Sequence, residues 1–166
     1  YAGLAVWSDN KIVKKIRDIS WTQFKSKFFG ELGGFKGAHG IGVISEVNPQ
    51  PVTVLSKFGE YAICTNGFIE NQDDLVRDRL REGGTLTDTF NGQVNMTEMI
   101  AKLINQGETL WEGIEMMFDR ISGACSLMIL TREGIWAVRD RRGSTPLVVG
   151  ENDGAVAVTT ETTAFP

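Results

Sequence analysis

Residues 61–71 read Tyr61-Ala62-Ile63-Cys64-Thr65-Asn66-Gly67-Phe68-Ile69-Glu70-Asn71. The run from Tyr61 to Cys64 is apolar and bounded by turn chemistry, which predicts a strand ending in Thr65-Asn66-Gly67. Asn-Gly is a strong tight-turn dipeptide. Placed at a strand end, the same pair can also serve chemistry. An Asn amide and the N–H of the following glycine are two fixed donors able to meet a carbonyl oxygen as it gains charge. The surrounding sequence has to decide between these readings.

Upstream, Ala2 to Trp7 and Lys11 to Ile16 are apolar, β-branched runs separated by Ser8-Asp9-Asn10, which predicts a hairpin. Ser20 has the chemistry of an N-cap, with Trp21, Phe24 and Phe28 following at helical spacing. Gly33 to Val47 mixes glycines with Ile41, Val43 and Ile44 and reads as a strand in close quarters. Asn48-Pro49-Gln50-Pro51 must break it. Downstream, Asn71 is a cap for a helix carrying Leu75, Val76 and Leu80 that Gly83-Gly84 can end. Asn95 and Glu98 have capping-box spacing before Met96, Met99, Ile100, Leu103 and Ile104, and Thr109 with Glu112 repeats the signal before Leu110, Ile114 and Met117. Four strands follow, Cys125 to Thr131, Ile135 to Arg139, Leu147 to Val149 and Ala155 to Thr159, joined by short glycine loops that imply antiparallel pairing. Strands, then helices, then strands, without βαβ alternation, predict an α+β domain of antiparallel sheets covered by helices over residues 1–166.

Composition narrows the chemistry. With 166 residues, 17 Lys+Arg, 21 Asp+Glu and a net charge of −4, the chain is acidic and shows no basic patch with interleaved aromatics. Nucleic-acid binding is not expected. It has no apolar run of spanning length and no basic signal-peptide start, so no membrane association is expected either. Cys64 and Cys125 lie inside apolar runs, as reduced thiols of a cytoplasmic protein do. They are 61 positions apart and lack a Cys-x-x-Cys partner, so neither zinc nor another metal is expected. The single histidine, His39, sits among glycines and reads as structural. No Gly-x-Ser-x-Gly elbow or phosphate loop is present, Gly37 to Gly42 has the dinucleotide glycine spacing reversed, and no cofactor is expected.

The run Cys64 to Asn71, followed by Asp74-Leu75, Arg79-Leu80 and Gly83-Gly84, resembles the glutaminase domain of class II glutamine amidotransferases, the N-terminal nucleophile type. That family includes amidophosphoribosyltransferase, glucosamine-6-phosphate synthase and glutamate synthase branches. Gly123 to Leu127, Ala137 to Gly150 and Thr160-Glu161-Thr162 resemble its later strands in order, Asn48-Pro49-Gln50-Pro51 its Asn-x-Gln-Pro loop, and Ala2 to Ala5 its second strand. The resemblance implies a four-layer αββα sandwich of the Ntn-hydrolase type, here expected to lack the first strand.

The resemblance also implies a mechanism with four requirements. A cysteine at the tip of the first strand attacks the glutamine amide, its own amine serving as base; the sequence begins at Tyr1, and no residue matches that cysteine. An arginine in a Gly-His-x-Arg segment holds the substrate carboxylate; Gly40 to Ser45 puts Val43 at that position. An aspartate in a Ser/Thr-Asp-Thr-Glu segment binds the α-ammonium; Asn95-Met96-Thr97-Glu98 puts Met96 there. The oxyanion pair is matched by Asn66 and Gly67, with Thr65 where several branches have histidine. Ser45, Cys64 and Thr65 complete the candidate pocket, and strand alternation puts Cys64 on the face of Asn66.

The expected function is thus a glutaminase-like domain, releasing ammonia from glutamine for a synthase domain or subunit, with activity weak or lost. The alternative is a non-catalytic structural or regulatory subunit, or a sensor of a small molecule, on the same fold. Glutamine or a related amino acid is the expected ligand, and a homo-oligomer is left open.

Overall fold

In chain order the elements are β1 (Ala2–Ser8), β2 (Lys11–Arg17), a short α1 (Phe24–Phe28), β3 (Gly40–Ile44), β4 (Val52–Ser56), β5 (Gly59–Ile69) and α2 (Gln72–Arg81). They continue with β6 (Thr89–Phe90), β7 (Gln93–Val94), α3 (Met96–Ile104), α4 (Leu110–Arg120), β8 (Gly123–Leu130), β9 (Ile135–Val138), β10 (Val148–Asn152) and β11 (Ala155–Thr159). The computed structural model describes residues 1–165. Two antiparallel sheets dominate, a three-stranded one in the order β2-β1-β3 and a four-stranded one in the order β4-β5-β8-β9. The hairpins β10-β11 and β6-β7 form separate two-stranded ribbons.

The four-stranded sheet is buried on both faces because its central strands present apolar side chains to both. Toward the helices point Tyr61, Ile63, Leu127 and Ile129, which pack with Met99, Ile100, Leu103, Ile104, Ile114 and Met117 of α3 and α4 into the larger core. Toward the three-stranded sheet point Ala62, Cys64 and Leu130, which meet Ala5 and Ile41 in a smaller one. Helix, sheet and sheet are therefore stacked around two apolar interfaces, as expected of a layered α+β fold. Both caps predicted for α3 and α4 form: Thr97 N–H donates to Asn95 Oδ1 at 3.0 Å, and Glu112 N–H to Thr109 Oγ1 at 3.1 Å.

Several local expectations are corrected. Ser20 does not cap α1, which starts four residues later; its hydroxyl and N–H bond Asp18 instead, and Trp21 stands outside the helix, 96% exposed. Asn71 occupies the cap position of α2, but its side chain bridges elsewhere, donating to Arg120 O and accepting from Ser122 N–H. Glu98 does not close a capping box with Asn95. Its carboxylate turns to the preceding loop and accepts from the N–H groups of Thr87 and Asp88 and the Thr87 hydroxyl. Val52 to Ser56 is a strand that the Pro-flanked sequence concealed.

The largest correction concerns the opening stretch. β5 does not stop at Cys64; it runs through Asn66 and Gly67 to Ile69, pairing with β8 throughout. Asn66-Gly67 is thus no turn. Gly67 has φ +152°, and a Cβ there would lie 2.1 Å from the Ala124 carbonyl oxygen, so only glycine allows the two strands to approach so closely.

Candidate functional site

Thr65 fixes the orientation of the Asn-Gly segment. Its N–H donates to Gln50 Oε1 at 2.7 Å, away from β8, because β4 pairs with β5 only as far as Ile63. Main-chain groups alternate sides along a strand, so the N–H of Gly67, two residues on, points to the same unpaired edge. The Thr65 side chain faces α3 and shares a 2.7 Å hydrogen bond with the Thr97 hydroxyl. Thr97 is itself tied to Asn95, whose amide donates to Pro49 O and Asp88 Oδ2. This network joins the strand, the 48–51 loop and the start of α3 into one rigid frame.

The Asn66 side chain is exposed and takes part in no hydrogen bond among the described residues. It opens, with Gly67, onto a cleft of about 640 Å³ that Ser45, Met96, Gln50 and Phe68 also line. A free amide and a free backbone N–H at one cavity wall are the two donors that a carbonyl oxygen needs. A second cavity of about 460 Å³ lies on the other side of Asn66, between the sheets, and is lined by Val43, Cys64, Ser126 and Glu161.

The sequence-derived candidates are distributed between these two spaces. Asn66, Gly67, Ser45, Thr65 and Met96 come together in the larger cleft. Val43 does not; it packs against the small core between the sheets. Two residues farther along the same chain, Ser45 shares the cleft with Met96, as do its neighbours Ile44 and Glu46. Met96 is partly buried against the larger core while lining the cleft, so it bridges packing and pocket. Cys64 is on the Asn66 face as alternation predicts, but burial pushes its thiol up to about 11, and burial, with nearby Asp140 and Cys64, pushes Cys125 to about 12. Neither is a thiolate near neutrality. His39 lines neither cavity, and its Nε2 lies 2.9 Å from the Thr131 carbonyl oxygen.

Two features escaped sequence reasoning. Glu46 lines the cleft from the loop after β3, and nothing in its spacing marked it. Asp140, 4% exposed, organises the loop behind Ser126. It accepts from the N–H groups of Arg142, Ser144 and Thr145 and from the Ser126 hydroxyl. Burial raises its pKa, but those hydrogen bonds outweigh burial and hold the carboxyl below its ordinary value. The Asp-x-x-Gly turn spacing of Asp140 and Gly143 was the available signal.

Two facing antiparallel sheets with helices on one outer face give the layered arrangement of an Ntn-hydrolase-type fold. The chain belongs to the glutamine amidotransferase domain family, whose described domain matches residues 39–166. It is 29% identical over 99% of its length to an amidophosphoribosyltransferase of Methanocaldococcus jannaschii, covering 36% of that protein. It is also 29% identical, over 75% of its length, to a glutamine amidotransferase-like protein of Rhizobium meliloti, covering 43% of it. A solved structure described as the allosteric regulatory enzyme of purine biosynthesis superposes with a TM-score of 0.85 at 25% identity. The B. subtilis glutamine phosphoribosylpyrophosphate amidotransferase does so with a TM-score of 0.80 at 26% identity. Each superposition covers 99% of this chain and 36% of the other, so the chain spans about a third of those proteins.

Proposed function

We propose that this domain keeps the carbonyl-binding strand of a glutaminase while its amino-acid-binding positions have been rewritten, so that glutamine hydrolysis is weak or lost. The observation that carries the reading is the make-up of the cleft around Asn66 and Gly67: Ser45 and Met96 are among the residues that line it, and among the described residues no arginine or aspartate does. Neither Val43 nor Ser45 can form a bidentate pair with a carboxylate, and a thioether cannot pair with an ammonium. Losing two such contacts, at about 2–5 kcal/mol each, weakens glutamine binding by several orders of magnitude. In a competent member of the family, the released ammonia passes to a synthase. A synthase domain or subunit is accordingly the partner proposed here, in the wider protein or in trans, with a structural or regulatory role toward it as the second reading.

The test is exposure of the full-length protein to an electrophilic glutamine analogue, with ammonia release from glutamine measured in parallel. Background-level release and no stoichiometric adduct on Cys64 or Cys125 are expected. Stoichiometric labelling accompanied by steady glutamine turnover would overturn the proposal.

A further inference from the structure

The two cavities that Asn66 lines, and a third that adjoins the larger of them at Gln72, Gln93 and Met96, share an electrostatic character. The cleft holding Asn66 and Gly67 is charged only by Glu46, the adjoining cavity at the start of α2 only by Asp73, and the space between the sheets only by Glu161. No lysine, arginine or histidine lines any of them among the described residues. The start of α2 offers no anion site either, since Asp73 and Asp74 occupy its first turn.

A ligand carboxylate entering the Asn66 cleft would shed part of its water, meet no cation, and face the Glu46 carboxylate. An unpaired charge moved out of water is strongly disfavoured. A carboxamide is served well, its oxygen by the Asn66 amide and Gly67 N–H, and its methylene chain by Met96, Phe68 and Ile69. A cationic amine at the other end of such a molecule would find Glu46 at the rim. We infer that the site takes a small carboxamide bearing an amine but no carboxylate, in preference to an α-amino acid. This rests on the reading of Asn66 and Gly67 as carbonyl donors and adds to it the charge class of the ligand.

Three probes separate the contributions: L-glutamine, 4-aminobutanamide, which is glutamine with its carboxylate replaced by hydrogen, and butanamide, which also lacks the amine. Calorimetric titration of the full-length protein is expected to show 4-aminobutanamide binding at least about tenfold more tightly than L-glutamine. Because Glu46 is exposed, its share is modest, and 4-aminobutanamide should exceed butanamide by about threefold, a margin that Glu46→Gln abolishes. Asn66→Ala should weaken both amides. If L-glutamine binds as tightly as 4-aminobutanamide and Asn66→Ala weakens it, the ligand class is overturned while the carbonyl-binding reading stands. If no carboxamide binds, or binding ignores Asn66→Ala, that underlying reading falls as well.

Discussion

On the helix side of β5, Tyr61 and Ile63 are fully enclosed by the large side chains of α3 and α4. On the other side, Ala62, Cys64 and Asn66 meet a thinner layer in which Ala5 and Ile41 are the buried partners, and cavities open beside them. The two faces belong to one strand and alternate residue by residue. Large side chains fill the first interface, so it holds the sheet in place. The second buries fewer side chains and leaves a cavity open beside Cys64 and Asn66, which gives a ligand room. The strand thus transmits the rigidity of one face to the donors on the other.

If that division is real, a deletion on the helix face should cost stability before it costs binding. Ile129 of β8 is fully buried on that face. Ile129→Ala is expected to destabilise the fold by about 3–5 kcal/mol, through lost burial and the cavity left behind. Chemical denaturation measures this directly. A loss below about 1 kcal/mol would mean that the larger core does not anchor the sheet.

Gly67 lies where the two regimes meet, and its substitution should register in both. Gly67→Ala forces a Cβ into the Ala124 carbonyl at a backbone angle that L side chains rarely adopt. Strain and overlap together should cost about 2–4 kcal/mol and part β5 from β8. Carboxamide binding should fall with it. Unchanged stability would show that the close strand approach is not needed.

How much of this was legible in the sequence depends on whether the signal was local. The hairpin 2–17, α3, α4 and their caps were readable because periodicity and capping chemistry act within a few residues. The length of β5 was not, since Asn-Gly has the local chemistry of a turn and only pairing with β8, more than 50 residues away, holds it extended. Asn71 and Glu98 show the same limit: each has a cap's spacing, and each spends its side chain on a partner from another segment. Around the cleft, Asn66, Gly67 and Met96 are named through the family resemblance, and the fold brings the three to one cavity. That Ser45 rather than Val43 reaches the cleft, and that Glu46 lies beside it, follows from where β3 ends at Ile44, a boundary set by its pairing with β1.

The remaining prediction probes the smaller interface from behind. Asp140 supports Ser126, the residue opposite Asn66 in the β5–β8 register, by accepting its hydroxyl and donating its own N–H to that oxygen at 2.9 Å. Its carboxyl is more acidic in the folded protein than when unfolded, burial being outweighed by the hydrogen bonds it accepts. The unfolded chain therefore takes up the proton first as pH falls. The stabilisation is fully present above the unfolded carboxylate range, near about 4, and is lost as pH drops through the lower folded value. Glu98 is also held below its ordinary value: burial raises it, and hydrogen bonds from Asp88, Thr87 and Lys102 overcome that rise. Both groups contribute to acid sensitivity, and only the difference between proteins isolates Asp140. Asp140→Asn cannot accept from every N–H that now points at the carboxylate, so it should lose about 1–3 kcal/mol at neutral pH. Its stability should also decline less steeply than that of the unsubstituted protein below about pH 4. Denaturation curves across that range decide the matter. Parallel acid limbs would remove Asp140 from the account and leave the support of the Asn66 face to the strands alone.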